Sequence, residues 1–179
     1  MVVLSTFFGA ALAGVHVGLS DKIADNKRAD TMGQIPRLVP GAAQGVEQMV
    51  GKDVIYRAVD SSGRLVGWVL PAMGKGFADD IELLVGLDAK AETITGMSVL
   101  AQKETPGLGD KITKDAKWRA QYAGKPAGGP LSVTKSSTAG ASEIVAISGA
   151  TISSESVTAI VNKAVAEFRG KLAAGEVKE

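Results

Sequence analysis

Apolar residues near the C-terminal end of the chain recur with the spacing of one helical face. They occupy positions i, i+3, i+4, i+7, i+8 and i+11, as in a helix that packs against a core. The pattern predicts a helix over Ser153–Phe168. Ser153 or Ser154 would cap its start, and Gly170 would follow its end. The apolar face consists of Val157, Ile160, Val161, Ala164, Val165 and Phe168.

Two pairs of shorter apolar or alternating segments occupy the middle of the chain. Val54–Val59 and Leu65–Leu70 are separated by Asp60-Ser61-Ser62-Gly63, a composition typical of a hairpin turn. Ile81–Leu87 and Thr93–Leu100 form a second pair, again with polar residues between them. We therefore predict two antiparallel strand pairs in this part of the chain.

The chain between these strands and the C-terminal helix carries weaker signals. Lys114–Tyr122 indicates a short helix, and Ile144–Ile147 indicates a strand. Ala123–Gly140 contains four glycines and the two prolines Pro126 and Pro130, which favours a loop. Strands followed by a docked helix indicate an α+β fold, with a twisted, mostly antiparallel sheet and packed helices.

The N-terminal segment is apolar or small-residued from Val2 to Leu19, apart from Ser5, Thr6 and His16. A run of this length favours one transmembrane helix, although it is short for a hydrocarbon layer of about 30 Å. A cleaved signal peptide and a buried globular helix are the alternatives. A signal peptide would have a basic segment before the apolar run, and no Lys or Arg precedes it here.

With an anchor at the start, the pattern divides the chain into four segments. These are a transmembrane anchor at 1–20, a juxtamembrane stalk at 21–40, a globular domain at 41–172 and a tail at 173–179. Basic residues follow the apolar run, so the positive-inside rule would place the globular domain in the cytoplasm. These basic residues are Lys22, Lys27, Arg28 and Arg37.

Composition excludes several kinds of chemistry. The formal net charge is +1, from 20 basic and 19 acidic residues, so no basic field for nucleic acid is expected. The chain has no cysteine, which removes thiolate nucleophiles and cysteine-ligated clusters. Its single histidine, His16, lies in the apolar leader. We therefore predict no metal site and no catalytic residues, and assign any redox chemistry to a bound organic cofactor or to a partner.

Three glycine-containing segments are the candidates for binding such a cofactor. The segment Ser148-Gly149-Ala150-Thr151 lies between a predicted strand and the C-terminal helix, and the start of a helix attracts anions. Thr151 would place a hydroxyl beside a bound phosphate. The alternative is an ordinary strand–turn–helix connection in which Thr151 is a cap.

The other two segments precede or follow predicted strands. Glu104–Gly109 reads ETPGLG, in which a proline and two glycines define a tight loop able to present Glu104 and Thr105. Gly74-Lys75-Gly76 is a weaker candidate. Neither a Walker loop nor a GxGxxG fingerprint occurs in the chain, which disfavours the familiar nucleotide-binding domains.

Taken together, the three segments resemble the FMN-binding domain shared by the G subunit of the Rnf complex and the C subunit of the sodium-translocating NADH:quinone reductase. The matching stretches are GKGFADDIELLVGLD at Gly74–Asp88, ETPGLGDKI at Glu104–Ile112 and SGATIS at Ser148–Ser153. They occur in the family's order. The apolar N-terminus and the LVPGA stretch at Leu38–Ala42 are also similar to the Rnf protein.

The resemblance implies a single FMN-binding domain in which FMN is joined through its phosphate to Thr151, the last residue of the acceptor motif. A flavin transferase would make this phosphoester, so that the chain becomes a phosphoprotein carrying covalent flavin. One position departs from the family pattern, since Val145 replaces a common acidic residue six positions before the threonine. The other implied FMN neighbours are Ser148, Gly149, Ala150, Glu104, Thr105, Gly107, Leu108, Gly109 and Lys75.

The same resemblance implies a role in electron transport. The chain would be a flavoprotein subunit of an ion-translocating ferredoxin:NAD oxidoreductase, a translocase, without a complete active site of its own. Its partners would be the other Rnf subunits, the flavin transferase and membrane lipid, with no nucleic acid. It would cross the cell inner membrane once, with the soluble domain on the periplasmic or outer side, opposite to the positive-inside expectation. The alternative function is a membrane-anchored flavin-binding regulator or sensor.

Overall fold

The structure is a computed structural model that describes the backbone of residues 2–177, and the side chains of that range except 2–5, 9–18, 20, 21 and 24. It divides into two compact units, one ending at Gly33 and the other beginning at Gln34. The first helix, α1 (Val2–Leu38), contributes its last turn to the second unit. In the described part of the chain, no helix has the length and apolar character that crossing a bilayer requires. Most side chains of the predicted anchor, 1–20, lie outside the described residues, and the anchor stays a prediction.

The second unit is built on an antiparallel sheet of five strands in sequential order. Each strand pairs with the next along the chain, so both predicted strand pairs are confirmed. The sequence pattern did not reveal the first strand, which is an edge strand with mostly exposed or half-buried residues. The strands are β1 (Gln44–Val50), β2 (Asp53–Val59), β3 (Leu65–Lys75), β4 (Asp80–Asp88) and β5 (Ile94–Ala101).

The C-terminal helix α4 (Thr151–Ala173) covers one face of this sheet, across β3 and β4. The rings of Trp68 and Phe168 meet at a centroid distance of 5.2 Å within the main core. The predicted helix is therefore confirmed, but its predicted ends are wrong. Gly170 lies inside the helix, which continues because Leu172 still packs on the core.

The opposite face of the sheet carries the end of α1. Leu38 is buried there, and its carbonyl oxygen would lie 2.8 Å from a Cβ built on Gly86. Gly96 pairs directly with Gly86 across β4 and β5 and also lies under Leu38. The absence of side chains at these two positions lets the last turn of α1 approach the sheet backbone.

A smaller layer lies between β5 and α4. The helix predicted over Lys114–Tyr122 is wrong as a single element, because Asp115 adopts an extended conformation and divides it. The Asp115 side chain accepts a hydrogen bond from the Trp118 N–H and so caps the second of two short helices. These are α2 (Lys111–Lys114) and α3 (Ala116–Ala120).

Two short parallel strands complete this layer. The strand predicted at Ile144–Ile147 is β7 (Glu143–Val145). Its partner, β6 (Ser132–Thr134), lies within Ala123–Gly140, so the loop prediction is wrong at those three residues. The backbone of Val145 also bonds to side chains, since its carbonyl accepts from the Trp118 indole at 2.9 Å. Such side chains satisfy the backbone groups that a two-stranded sheet leaves unpaired.

Candidate functional site

Two of the three glycine-containing segments, and Phe77 directly after the third, line one cleft of about 410 Å³. This volume lies within the range of about 300–1,000 Å³ that is common for small-molecule sites. The cleft opens between the β3–β4 hairpin tip, the loop after β5 and the first turn of α4. Its lining residues are Phe77, Glu104, Thr105, Leu108, Gly109, Gly149, Ala150, Thr151, Ile152 and Ser153.

The first turn of α4 forms one wall of the cleft. Gly149 has a φ of 80°, a left-handed conformation that glycine adopts readily, and this turns the chain into the helix. Ala150 is the N-cap, and its methyl group cannot accept a hydrogen bond from the first turn. Thr151 is the first helical residue and is half-buried. The N–H groups of this turn therefore remain available to an anion in the cleft.

Ser153 and Ser154 were predicted as alternative caps, and this prediction is wrong because both lie inside α4 and are buried. Ser154 instead fixes the turn before the helix. Its Oγ accepts a hydrogen bond from the N–H of Ile147 at 3.1 Å and donates to the carbonyl of Ala150 at 2.9 Å. The turn that presents Thr151 is thereby tied to the helix from within.

Glu104 connects its own segment to residues that follow the other two segments. Its Oε1 accepts a hydrogen bond from the N–H of Ala78 at 3.0 Å, and its Oε2 accepts one from the hydroxyl of Ser153 at 2.5 Å. The side chain is buried, with 4% of its surface exposed. The sequence predicted that Glu104 would present its carboxylate to a heterocycle, whereas the structure shows both oxygens bonded to the protein.

The rim of the cleft is apolar and exposed. Phe77, Leu108 and Ile152 have 63%, 46% and 54% of their surface exposed. Sequence reasoning selected Leu108 but missed Phe77 and Ile152. The available signal was a large apolar residue within or directly after each glycine-containing segment. At such positions a turn or a first helical turn would otherwise favour polar residues.

Three predicted site residues do not line the cleft. Lys75 extends into solvent and pairs with Asp80 at 2.8 Å, and this hydrogen bond raises the pKa of the Lys75 ammonium. Ser148 faces a neighbouring groove beside Trp118. Gly107 lies in the loop between Thr105 and Leu108 without facing the cleft.

Within the described residues, no cluster of His, Asp or Glu side chains could hold a metal ion.

Comparison with known proteins supports the geometric picture. The FMN-binding domain family matches residues 76–166, a range that begins at the hairpin tip and includes all the cleft residues. The G subunit of the ion-translocating oxidoreductase complex of Methanosarcina acetivorans is 33% identical, over 92% of this chain and 89% of the relative. The chain belongs to the FMN-binding domain family, in the branch formed by the G subunits of Rnf complexes. The resemblance noted from the three motifs is therefore confirmed.

A second member of this family shows a similar extent of matching. The G subunit of the proton-translocating ferredoxin:NAD(+) oxidoreductase complex of Clostridium ljungdahlii is 32% identical, over 88% of this chain and 82% of the relative. Membership supports the predicted FMN and a general oxidoreductase role within a complex of several subunits. Attachment to Thr151 and the individual FMN contacts stay predictions.

Solved structures of the related C subunits share the fold. The crystal structure of NqrC from Shewanella oneidensis superposes with a TM-score of 0.55 at 28% identity, over 62% of this chain and 54% of that one. The C subunit of the Na(+)-translocating NADH-quinone reductase from Parabacteroides distasonis gives 0.56 at 25% identity, over 65% and 60%. The α+β architecture with its antiparallel sheet is thus the fold of this FMN-binding family.

Proposed function

We propose that this chain is the electron-transfer subunit of a membrane-bound, ion-translocating ferredoxin:NAD oxidoreductase, and that it carries FMN esterified to Thr151. The observation that carries the proposal is the first turn of α4. It combines a helix start without a side-chain cap, a threonine hydroxyl at the first helical position and a cleft of ligand size. Within residues 2–177 this hydroxyl makes no hydrogen bond, so it is available as an acceptor.

The charges around the cleft favour an ester over free FMN. Among the described residues that line it, the one ionisable side chain is that of Glu104, and no Lys or Arg contributes to the walls. A phosphate monoester carries about −1.5 to −2 charges at neutral pH. Esterification to Thr151 leaves a phosphodiester with one charge, which the positive end of the α4 dipole can stabilise.

The remaining lining residues fit the two ends of FMN. Small residues at Gly149 and Ala150 let the backbone approach the phosphate, and Ser148 continues that turn outside the cleft. The apolar rim of Phe77, Leu108 and Ile152 offers a surface for the flat isoalloxazine ring. Bound flavin supplies the electron-accepting chemistry, while the protein orients the ring and limits its contact with water.

Attachment requires a group transfer from FAD, catalysed by a flavin transferase. The hydroxyl oxygen of Thr151 attacks the phosphorus on the FMN side of the FAD pyrophosphate. A new P–O bond to Thr151 forms as the P–O bond to the AMP phosphate breaks. AMP leaves, and the hydroxyl proton passes to a base of the transferase. Thr151 is half-buried at an open cleft, so its hydroxyl can be reached.

The proposal extends to the wider assembly, by analogy with the family. The N-terminal segment anchors the chain in the inner membrane by one span, and the soluble domain lies on the periplasmic or outer side. Ferredoxin and NAD bind to other members of the complex, since this chain carries no nucleotide fingerprint. The protein relays electrons between redox centres of its partners.

Covalent flavin is tested by fluorescence after denaturation. The full chain is co-expressed with a flavin transferase, purified, denatured and separated on a gel under ultraviolet light. We expect a fluorescent band for the unsubstituted protein, none for Thr151→Val and an undiminished band for Thr138→Val. Thr138 is an exposed threonine outside the cleft, which makes it a matched control. Fluorescence that survives in Thr151→Val would place the acceptor elsewhere.

Membrane topology is tested separately with a reporter fused after Glu179. A reporter active only outside the cytoplasm should be active on this fusion, and a reporter active only in the cytoplasm should be silent. The opposite result would support the orientation expected from Lys22, Lys27, Arg28 and Arg37.

A further inference from the structure

Glu104 has an unusual position for a carboxylate in a flavin cleft. It lines the cleft, it is buried, and it bonds to two different chain segments. One bond reaches Ala78 in the hairpin tip that presents Phe77. The other reaches Ser153, two residues after Thr151. Glu104 therefore joins the walls that would hold the ring end and the phosphate end of the flavin.

The surrounding backbone leaves room for this carboxylate because two of its neighbours are glycines. A Cβ built on Gly76 would lie 2.4 Å from Oε1 of Glu104. One built on Gly109 would lie 2.8 Å from Oε2 and 2.7 Å from the Oγ of Ser153. A side chain at either position would therefore collide with the carboxylate where it now lies. The lack of side chains at Gly76 and Gly109 allows Glu104 to reach both of its hydrogen-bond partners.

From this geometry we propose that Glu104 is a positioning residue with an electrostatic role. Its carboxylate holds the first turn of α4 against the hairpin tip, and it places a fixed negative charge in the wall of the flavin cleft. The inference rests on the proposed function for its electrostatic part and on the protein alone for its positioning part.

The direction of the electrostatic effect follows from simple charge arithmetic. Reduction adds negative charge to a flavin, and a fixed negative charge nearby opposes that addition, more strongly where water is excluded. At the exposed edge of the hairpin tip, Lys103 and Asp79 form an ion pair at 2.7 Å, so their charges largely offset each other. The carboxylate of Glu104 should therefore lower the midpoint potential of the bound flavin.

The electrostatic part is tested by Glu104→Gln in the flavin-loaded full chain. Glutamine keeps the shape, can accept from Ala78 through its oxygen and can donate to Ser153 through its nitrogen. We expect the fluorescent band at Thr151 to persist and the midpoint potential to rise above that of the unsubstituted protein. The matched control is Glu143→Gln. Glu143 also accepts a backbone N–H, that of Gly140 at 2.8 Å, but lies outside the cleft, and its substitution should leave the potential unchanged.

The positioning part is tested without flavin, by hydrogen exchange of the apoprotein. In Glu104→Ala, the N–H of Ala78 should exchange about tenfold faster or more, because bonds to a carboxylate are among the stronger ones. The N–H of Ser154, which is the first α4 amide bonded within the helix, should also exchange faster, because the turn that it closes loses its tie to the hairpin tip. Exchange in β2 and β3 should be unchanged, which shows that the fold persists. Ser153→Ala, which removes only the bond to α4, keeps the test valid if Glu104→Ala fails to fold, and it should accelerate exchange at Ser154 but not at Ala78.

The outcomes separate this inference from the proposed function. Equal potentials in Glu104→Gln and Glu143→Gln would overturn the electrostatic role. Unchanged exchange at Ala78 in Glu104→Ala, or at Ser154 in Ser153→Ala, would overturn the positioning role. Loss of flavin from the unsubstituted protein would instead overturn the proposed function, and the exchange results would still decide whether Glu104 positions the two walls.

Discussion

The phenolic oxygen of Tyr122 lies 2.8 Å from the hydroxyl of Thr158, inside the core between α3 and α4. Thr158 in turn donates to the carbonyl of Ser154, the residue whose Oγ holds the turn before α4. A chain of buried hydrogen bonds therefore runs from the centre of the core to the turn that presents Thr151. The position of Thr151, the proposed acceptor, therefore depends on core packing several residues away.

Tyr122→Phe should reduce the stability of the protein at neutral pH, and it should also reduce the loss of stability that occurs as the pH rises above 10. Loss of the buried hydrogen bond should lower the free energy of unfolding at pH 7 by about 1 kcal/mol. Burial raises the pKa of the Tyr122 phenol well above its usual value, so its contribution is complete below pH 10 and declines as the pH rises above that. Denaturant unfolding at several pH values measures both effects. If Tyr122→Phe and the unsubstituted protein lose equal free energy of unfolding between pH 9 and about 11, ionisation of the Tyr122 phenol does not contribute to the alkaline loss of stability.

Gly86→Ala should destabilise the sheet on the face covered by α1. The new Cβ would lie 2.6 Å from the Thr95 hydroxyl and 2.8 Å from the carbonyl of Leu38, so the chain must shift. We expect a loss of about 1–3 kcal/mol in the free energy of unfolding. Gly128→Ala is the control, because no atom would lie within 4 Å of a Cβ added there. This substitution should change the free energy of unfolding by no more than about 0.5 kcal/mol. Similar thermal midpoints for the two variants would contradict the close packing of Leu38 on β4.

Phe77→Ser should expose the bound flavin to solvent without harming the fold. Phe77 lies at the cleft mouth and is 63% exposed, so its removal should change the free energy of unfolding by less than about 0.5 kcal/mol. Iodide should quench the flavin fluorescence of the folded variant more strongly than that of the unsubstituted protein. Met73→Ser provides the control, since Met73 is 62% exposed and lies outside the cleft. Equal quenching in both variants would mean that Phe77 does not cover the ring.

The β2–β3 turn should contribute stability that disappears in acid. Hydrogen bonds from Ser62 and Arg64 lower the pKa of the Asp60 carboxyl to about 2. The contribution is present above the ordinary value of 3.8 and is lost as the pH falls from there through about 2. Asp60→Asn should therefore unfold more easily than the unsubstituted protein at pH 7 and equally easily below pH 2. Titration of the Asp60 carboxyl by NMR gives the pKa directly, and a value near 4 would rule out the effect.

Much of the fold is local enough to follow from the sequence. The apolar face of α4 and the four strands β2 to β5 have periodicities that indicate burial, so they were predicted close to their observed places. Elements that bury few of their own residues were not predicted. The edge strand β1 is one, and Ser132–Thr134 is another, because it becomes a strand only through pairing with Glu143–Val145. The break at Asp115 was also missed, since an extended residue inside a helical pattern depends on its cap.

The sequence by itself determined the three glycine motifs, the position of Thr151 at a helix start and the helix that follows it, because these depend on short-range backbone chemistry. Only the tertiary structure decided which residues share a cleft. It brought Glu104 to Ser153 across 49 positions of the chain and to the backbone of Ala78, placed Phe77 and Ile152 at the rim, and left Lys75 paired with Asp80 in solvent. Such long-range placements arise from how sheet and helix pack against each other, and no local pattern contains that information.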